Sequence, residues 1–196
     1  MRCYPLTILD DHSRFSIRID PKSSATGVKD SFIRAFCEYG LPNSVLSDNG
    51  AQFAGAHKGL SLFERFLMDL DILPIHGRPI HPQTQGKIER FHRTLKKEAL
   101  RTTPANMEEA KRRLENWRWV YNELRPHHAL DLKTPSSIYQ PSTRKYYEPK
   151  PYVYDEGARL IKVNNWGYLR FGPLQFYLSE AMADTHVEIR YGENDT

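Results

Sequence analysis

The spacing of apolar residues divides the chain into short elements of two different periods. In the opening CYPLTILDDHSRFSIRID, TIL and FSIRI carry the β-branched and aromatic residues, and FSIRI alternates apolar with polar. That pattern predicts a hairpin turning around His12-Ser13. Val28, Phe32, Ala35, Phe36 and Tyr39 then recur at helical spacing, with Ser23-Ser24 placed to cap the helix and Gly40 and Pro42 to stop it. SVLS (44–47) reads as a short strand running into the turn signal DNG. A Gly/Ala-rich loop (51–59) leads to a helix over 60–70 with Leu62, Phe63, Phe66, Leu67 and Leu70 apolar. ILPIH (72–76) is a small strand, and RPIHPQTQG is a loop broken by Pro and Gly.

Two longer helices follow. The first starts near Thr84 to Gly86 and carries Ile88, Phe91, Leu95 and Ala99 as one stripe. The second has Asn106 as N-cap with Glu109 three residues on, and its stripe is Met107, Ala110, Leu114, Trp117, Tyr121 and Leu124, closed by Pro126. Strand, strand, helix, strand, helix, strand, helix is the order of an α/β sandwich. The composition shifts at 134–152, which holds four of the thirteen prolines and reads as a linker. Beyond it, ARLIKVNNWGYLRFGPLQFYL and THVEIRY predict three or four short strands, enough for a small β-barrel. The expected organisation is therefore a core over 1–133, a proline-rich linker over 134–154 and a β-barrel module over 155–196.

Composition narrows the classes. With 196 residues and 39% hydrophobic content, the chain can bury one ordinary core and a small appendage. Two cysteines, Cys3 and Cys37, lack CxxC spacing and cannot make a disulfide framework, so a reduced, cytoplasmic chain is expected. No apolar run approaches the roughly 18 residues that span a bilayer, and no membrane partner is expected. A net charge of +4 leans towards a polyanion.

The candidate chemistry lies on the helix after the HPQTQG loop. Gln85, Glu89, His92, Arg93 and Lys96 share a face beside the apolar stripe. Glu89 on this face is either half of an i,i+4 ion pair with Arg93 or a functional carboxylate. Asp48, at the end of the SVLS strand, stands where α/β sheets place their sites, although Asp-Asn-Gly is also an ordinary Asx-turn sequence. Taken together, two such carboxylates suit hard cations, Mg²⁺ or Mn²⁺. Two ions ~4 Å apart would activate a nucleophile and stabilise a leaving oxygen on a phosphodiester. Lys87, Arg90, Arg93, Lys96, Lys97 and Arg101 are the candidates to hold DNA phosphates. His76, His81 and His92 lack the tight paired spacing of a zinc site. Trp117 is expected in the core and Trp119 at the surface.

The stretches LTILDDHSRF, LPNSVLSDNGAQF, HPQTQGKIERFHRTLKKEAL and YNELRPHHAL, in that order, resemble the catalytic core of bacterial insertion-sequence transposases in the retroviral-integrase superfamily. The resemblance implies a ribonuclease H-like three-layer core and a metal-dependent Asp-Asp-Glu triad. It also implies nicking of element ends followed by strand transfer into target DNA, two bound ions, and at least a dimer on DNA in the bacterial cytoplasm and nucleoid. By motif, Asp48 is the second triad carboxylate and Glu89 the third, while Gln85, Lys87 and Lys96 match positions that contact DNA near the site. His127-His128 falls in the RPHHAL turn, read as packing rather than catalysis.

One part of the pattern is missing. The first triad aspartate belongs to a strand before LTILDDHSR, and that strand is expected to be absent, leaving the core without its first, central strand. Asp10 or Asp11 is a poor substitute, since neighbouring strand residues point to opposite faces; hydrogen bonding to the hairpin turn is the expected role for one of them. Each backbone group left unpaired beside the gap would cost about 1–3 kcal/mol. A decayed copy, the second frame of a split gene or a shortened start would each produce this pattern. The chain alone is expected to be inactive, and the competing reading is a non-catalytic DNA-binding remnant or regulator of an insertion element.

Overall fold

The computed structural model describes residues 5–21, 27–48, 50, 53, 59–77 and 86–190. The chain divides into two compact units. The first holds Met1–Pro42 with Gly77–Tyr146, and the second Asn43–His76 with Tyr147–Thr196.

In the first unit, β1 (Leu6–Leu9) and β2 (Ser16–Asp20) form the expected antiparallel hairpin, with Thr7 opposite Ile19 and an irregularity between Ile8 and Leu9. The turn is built by Asp10, whose Oδ2 accepts from both the backbone N–H (2.7 Å) and the hydroxyl (2.6 Å) of Ser13. Asp10 thus has the turn role and Asp11 faces solvent, paired with Lys87 at 2.6 Å. Helix α1 (Val28–Tyr39) buries Phe32, Ala35 and Phe36. Its Ser23-Ser24 cap lies outside the described residues; the helix opens after Gly27 in a left-handed conformation. Gly40 closes it at φ 81°, and a Cβ there would meet the Ser142 carbonyl at 2.6 Å, so only glycine lets the 142–144 segment come so near.

Helices α3 (Gly86–Glu98) and α4 (Met107–Trp119) supply the main core. Phe91, Leu95, Leu114, Trp117 and Tyr121 close over Ile19 of β2, with Leu9, Ile88, Ala99 and Leu100 at the margin. Asn106 caps α4 by accepting from the Glu109 N–H at 2.9 Å, as its spacing predicts.

The α4 stripe departs from expectation at its end. After Trp119 the helix widens into a π turn, Val120–Leu124, which delays the register by a fraction of a turn. Leu124 is carried outward to 57% exposure and Asn122 is carried inward, buried. There the Asn122 amide accepts from the Ser16 N–H (2.8 Å) and donates to the Ser16 carbonyl (3.0 Å), satisfying both groups on β2. Arg118 adds donors to the carbonyls of Ser16 and Ile17 and to the Tyr39 hydroxyl, tying β2 and α1 to the same helix.

Within the segment read as a linker, the stretch up to Arg144 makes specific contacts while most of the segment's residues are exposed. Pro135 starts a short helix, α5 (Pro135–Ile138), Tyr139 stacks on Phe15 with centroids 4.3 Å apart, and Leu41 donates to the Arg144 carbonyl.

In the second unit, β3 (Ser44–Ser47) and β4 (Leu73–His76) pair in parallel, joined through α2 (Leu62–Met68). The helix starts with a capping box, Ser61 and Glu64 each satisfying the other's backbone N–H. The C-terminal strands do not close into the predicted barrel among the described residues. β5 (Leu160–Lys162) pairs only with β8 (His186–Glu188), and β6 (Tyr168–Phe171) only with β7 (Leu174–Tyr177). Strands of three or four residues are too short to reach round a closed ladder. Arg65 of α2 holds this module through the Ala181 carbonyl at 2.6 Å, and Ser179 donates to the Leu60 carbonyl.

Candidate active site

Asp48 emerges from the C-terminal end of β3, and its side chain is exposed. Its Oδ1 accepts from the Gly50 N–H at 2.9 Å, so the Asx turn forms. That bond occupies one carboxylate oxygen and leaves the second available. The Asx-turn reading of Asp48 holds, and the turn fixes the carboxylate.

Glu89 stands in the first turn of α3 with an exposed side chain and no hydrogen-bond or ion-pair partner among the described residues. The i,i+4 pair with Arg93 is not made. Arg93 and Lys96 are exposed as well and have no acidic partner among the described residues. Arg90 turns back to the Gly86 carbonyl (3.0 Å), and Lys87 is engaged by Asp11. Lys97, in the last turn, is exposed. An unpaired carboxylate beside unpaired cations is unusual on a helix whose sequence offers i,i+4 partners. Gln85 and His81 lie outside the described residues. Asp48 belongs to the second unit and Glu89 to the first, and each is placed within its own unit.

The remaining candidates have structural employment. His92 joins α3 to β1 through Thr7 Oγ1 at 2.6 Å, so it faces the hairpin rather than the open face expected for it. His127 packs edge-on to Tyr121, with centroids 4.8 Å apart, and its backbone N–H donates to the Lys133 carbonyl. Burial, with the nearby Arg125 charge, holds its imidazole below the ordinary 6.5. Trp117 is in the core, donating to Glu98 at 2.7 Å, and Arg125 completes that carboxylate at 2.5 Å. Burial acts to raise Glu98, but Arg125 and Trp117 together hold it below the usual carboxylate value. Trp119 is 57% exposed. No cluster of three His, Cys, Asp or Glu side chains able to hold a metal occurs among the described residues. No helix there is long and apolar enough to cross a membrane.

One constellation escaped sequence reasoning. At the ends of the parallel pair, Ser47 Oγ lies 3.3 Å from His76 Nδ1, and His76 Nε2 lies 2.8 Å from Glu64 Oε1. Burial acts to raise Glu64, but hydrogen bonds from Ser61 and His76 hold it below the ordinary 4.5. The signal was present in Ser61-x-x-Glu64 and in the equal position of Ser47 and His76 at two strand ends, but only the parallel register joins them.

Comparison with known proteins bears on the family and the fold. Two models of an integrase core domain match, over residues 1–82 and residues 70–135. An insertion element IS136 protein of Agrobacterium fabrum is 29% identical over 119 residues, covering 57% of this chain and 58% of that protein. The Pol-related polyprotein of the mouse intracisternal A-particle is 25% identical, covering 83% of this chain and 21% of the polyprotein. The chain thus spans little more than half of one relative and a fifth of the other. Among solved structures, the simian T-cell lymphotropic virus intasome in complex with a PP2A regulatory subunit aligns at TM-score 0.54 and 16% identity, covering 94% of this chain and 77% of that one. The HTLV-2 integrase catalytic core domain in complex with magnesium aligns at TM-score 0.50 and 18% identity, covering 69% of this chain and 92% of that one. The α/β fold is that of retroviral integrase catalytic cores, the ribonuclease H-like fold, and the chain carries an integrase core of the integrase and insertion-element transposase family.

Proposed function

We propose that this chain is the catalytic core of an insertion-element transposase, acting on DNA by metal-dependent nicking and strand transfer. The observation that carries the reading is Glu89: an exposed carboxylate with no partner among the described residues, on a helix where Arg93 and Lys96 likewise have no acidic partner there. Such a group suits a hard cation, since carboxylates and phosphate oxygens share Mg²⁺ and Mn²⁺ readily. By motif resemblance Asp48 is read as the companion ligand; its Oδ1 is held by the Gly50 N–H. Bound ions supply the activation of the attacking hydroxyl and the stabilisation of the leaving oxygen. Arg93 and Lys96, with Lys97, Arg90 and Lys87, hold the DNA backbone beside that carboxylate, and Gln85 is assigned the same role by motif resemblance alone. Paired element ends require at least two copies on DNA, in a bacterial cytoplasm. Residues 155–196 are read as an open relative of a small barrel appended to the core.

A second reading has its own observation. The hairpin β1–β2 and the pair β3–β4 are separate two-stranded sheets, and no group of three His, Cys, Asp or Glu side chains able to hold a metal forms among the described residues. A DNA-binding regulator without catalysis would look the same. The test is nicking and strand transfer on a duplex carrying element ends, with Mg²⁺ or Mn²⁺, by the chain as it stands and by the chain preceded by an aspartate-bearing strand. The transposase reading expects turnover in the extended form, abolished by Glu89→Gln with DNA affinity unchanged. Salt-sensitive binding without turnover in either form supports the regulator.

A further inference from the structure

We infer that His76 is a positioning residue that fixes the Asp48 end of the site, an inference that rests on the transposase reading of Asp48. Among the described residues the parallel pair is two strands wide, and its last rung is Ser47 opposite His76. A two-stranded ladder is marginal in water, and parallel pairing is the weaker kind, so the terminal rung would fray without help. The next residue after that rung is Asp48, so fraying would move the carboxylate directly.

The side chains supply the missing restraint. Glu64 is fixed in the capping box of α2, where its Oε2 accepts from the Ser61 N–H at 2.6 Å. A carboxylate only accepts, so His76 Nε2 must carry the proton of the 2.8 Å bond to Glu64 Oε1. In a neutral ring this leaves Nδ1 with a lone pair, and the Ser47 hydroxyl, 3.3 Å away, donates to it. The order of restraint runs from the first turn of α2 through β4 to the end of β3. Ser47 is thereby tied by both backbone and side chain, and Asp48 leaves a fixed point before Gly50 takes its Oδ1. His76 touches no reacting atom in this scheme; it acts through Ser47.

The experiment uses the 196-residue chain, nitrogen NMR of the imidazole, and Mn²⁺ as the metal probe. The neutral His76 ring is expected as the Nε2–H tautomer; a neutral ring protonated at Nδ1 instead overturns the inference whatever the metal does. His76→Phe keeps a ring but no hydrogen bonds. It should speed exchange of the Gly50 amide and raise the Mn²⁺ concentration that broadens the Asp48 and Gly50 signals, each about tenfold. The amides of α2 should keep their protection, which separates positioning from unfolding. His76→Gln, able to donate to Glu64 and accept from Ser47, should restore part of both. If Asp48→Asn removes the broadening while His76→Phe changes neither readout, the positioning role is wrong and the site stands. If Asp48→Asn leaves the broadening intact, or the unsubstituted chain shows none, the metal reading of Asp48 fails, and Gly50 exchange alone decides whether His76 restrains the turn.

Discussion

The two units bury their apolar residues very differently. In the first, β2 is covered by α3 and α4, its edge groups at Ser16 are satisfied by Asn122, and Ile19 is 1% exposed. In the second, the parallel pair has a tidy half-buried side, where His76 and Ser47 meet Glu64, and an opposite side of Leu46, Leu73 and Ile75 that stands open. Parallel sheets are ordinarily covered on both faces. Here the open face keeps Leu46, Leu73 and Ile75 at 44%, 62% and 40% exposure. The difference teaches where function is vulnerable. The helix bearing Glu89 rests on a finished core, while the strand bearing Asp48 depends on local restraints.

This contrast can be broken by substitution. Leu114→Ala, at a fully buried position of the first unit, should cost about 2–5 kcal/mol in denaturant unfolding. Leu73→Ala, at 62% exposure in the second, should shift stability by less than ~0.5 kcal/mol. Similar losses at both sites would show that the open face is covered in solution. Asn122→Ala should follow, at about 1–3 kcal/mol, because the buried Ser16 N–H loses its acceptor and the Ser16 carbonyl keeps only the longer bond from Arg118. A neutral result there would mean water replaces the amide.

Helix caps should not discriminate between the units. Asn106→Ala and Ser61→Ala each remove a side-chain acceptor from a helix N-terminus, and each should cost ~1 kcal/mol, measured as a shift in the unfolding midpoint. A much larger loss at Ser61 would show that the capping box supports more than α2, as its link through Glu64 to His76 implies.

Acid should loosen the units in sequence. His127 is held below 6.5 in the fold, so the unfolded chain takes up its proton first. Its contribution is complete above pH 6.5 and declines as pH falls from there towards the folded value. Glu64 is held below 4.5, so its contribution persists to lower pH and is lost as pH falls through its folded value. Hydrogen exchange between pH 7 and 4 should therefore show the His127 turn weakening before the α2 cap. His127→Phe should flatten the upper part of that profile.

Much of this was readable before any coordinates. The period of Ile88, Phe91, Leu95 and of Ala110, Leu114, Trp117 was correct because helix packing repeats what the sequence spacing states. Asn106 and Asp10 were readable because capping and turn chemistry are local. Leu124 was misjudged because a π turn alters the register without any mark in apolar spacing. The stacking of Tyr139 on Phe15 is not legible in the proline-rich segment, because proline content speaks for stiffness, not for what Tyr139 finds to stack on. Barrel closure depends on strand pairing between distant segments, which short strands do not encode. At the site, motif resemblance singled out Asp48 and Glu89. The Ser47–His76–Glu64 contact needed the register of two strands separated by a helix.

The central claim is that Glu89 is kept unpaired for metal-dependent chemistry on DNA. The most direct measurement is Mn²⁺-dependent strand transfer by the extended chain, with and without Glu89→Gln, alongside DNA affinity and unfolding midpoint. The account predicts loss of strand transfer with binding and midpoint unchanged, since Glu89 has no partner to lose among the described residues. Undiminished strand transfer in the variant would contradict it.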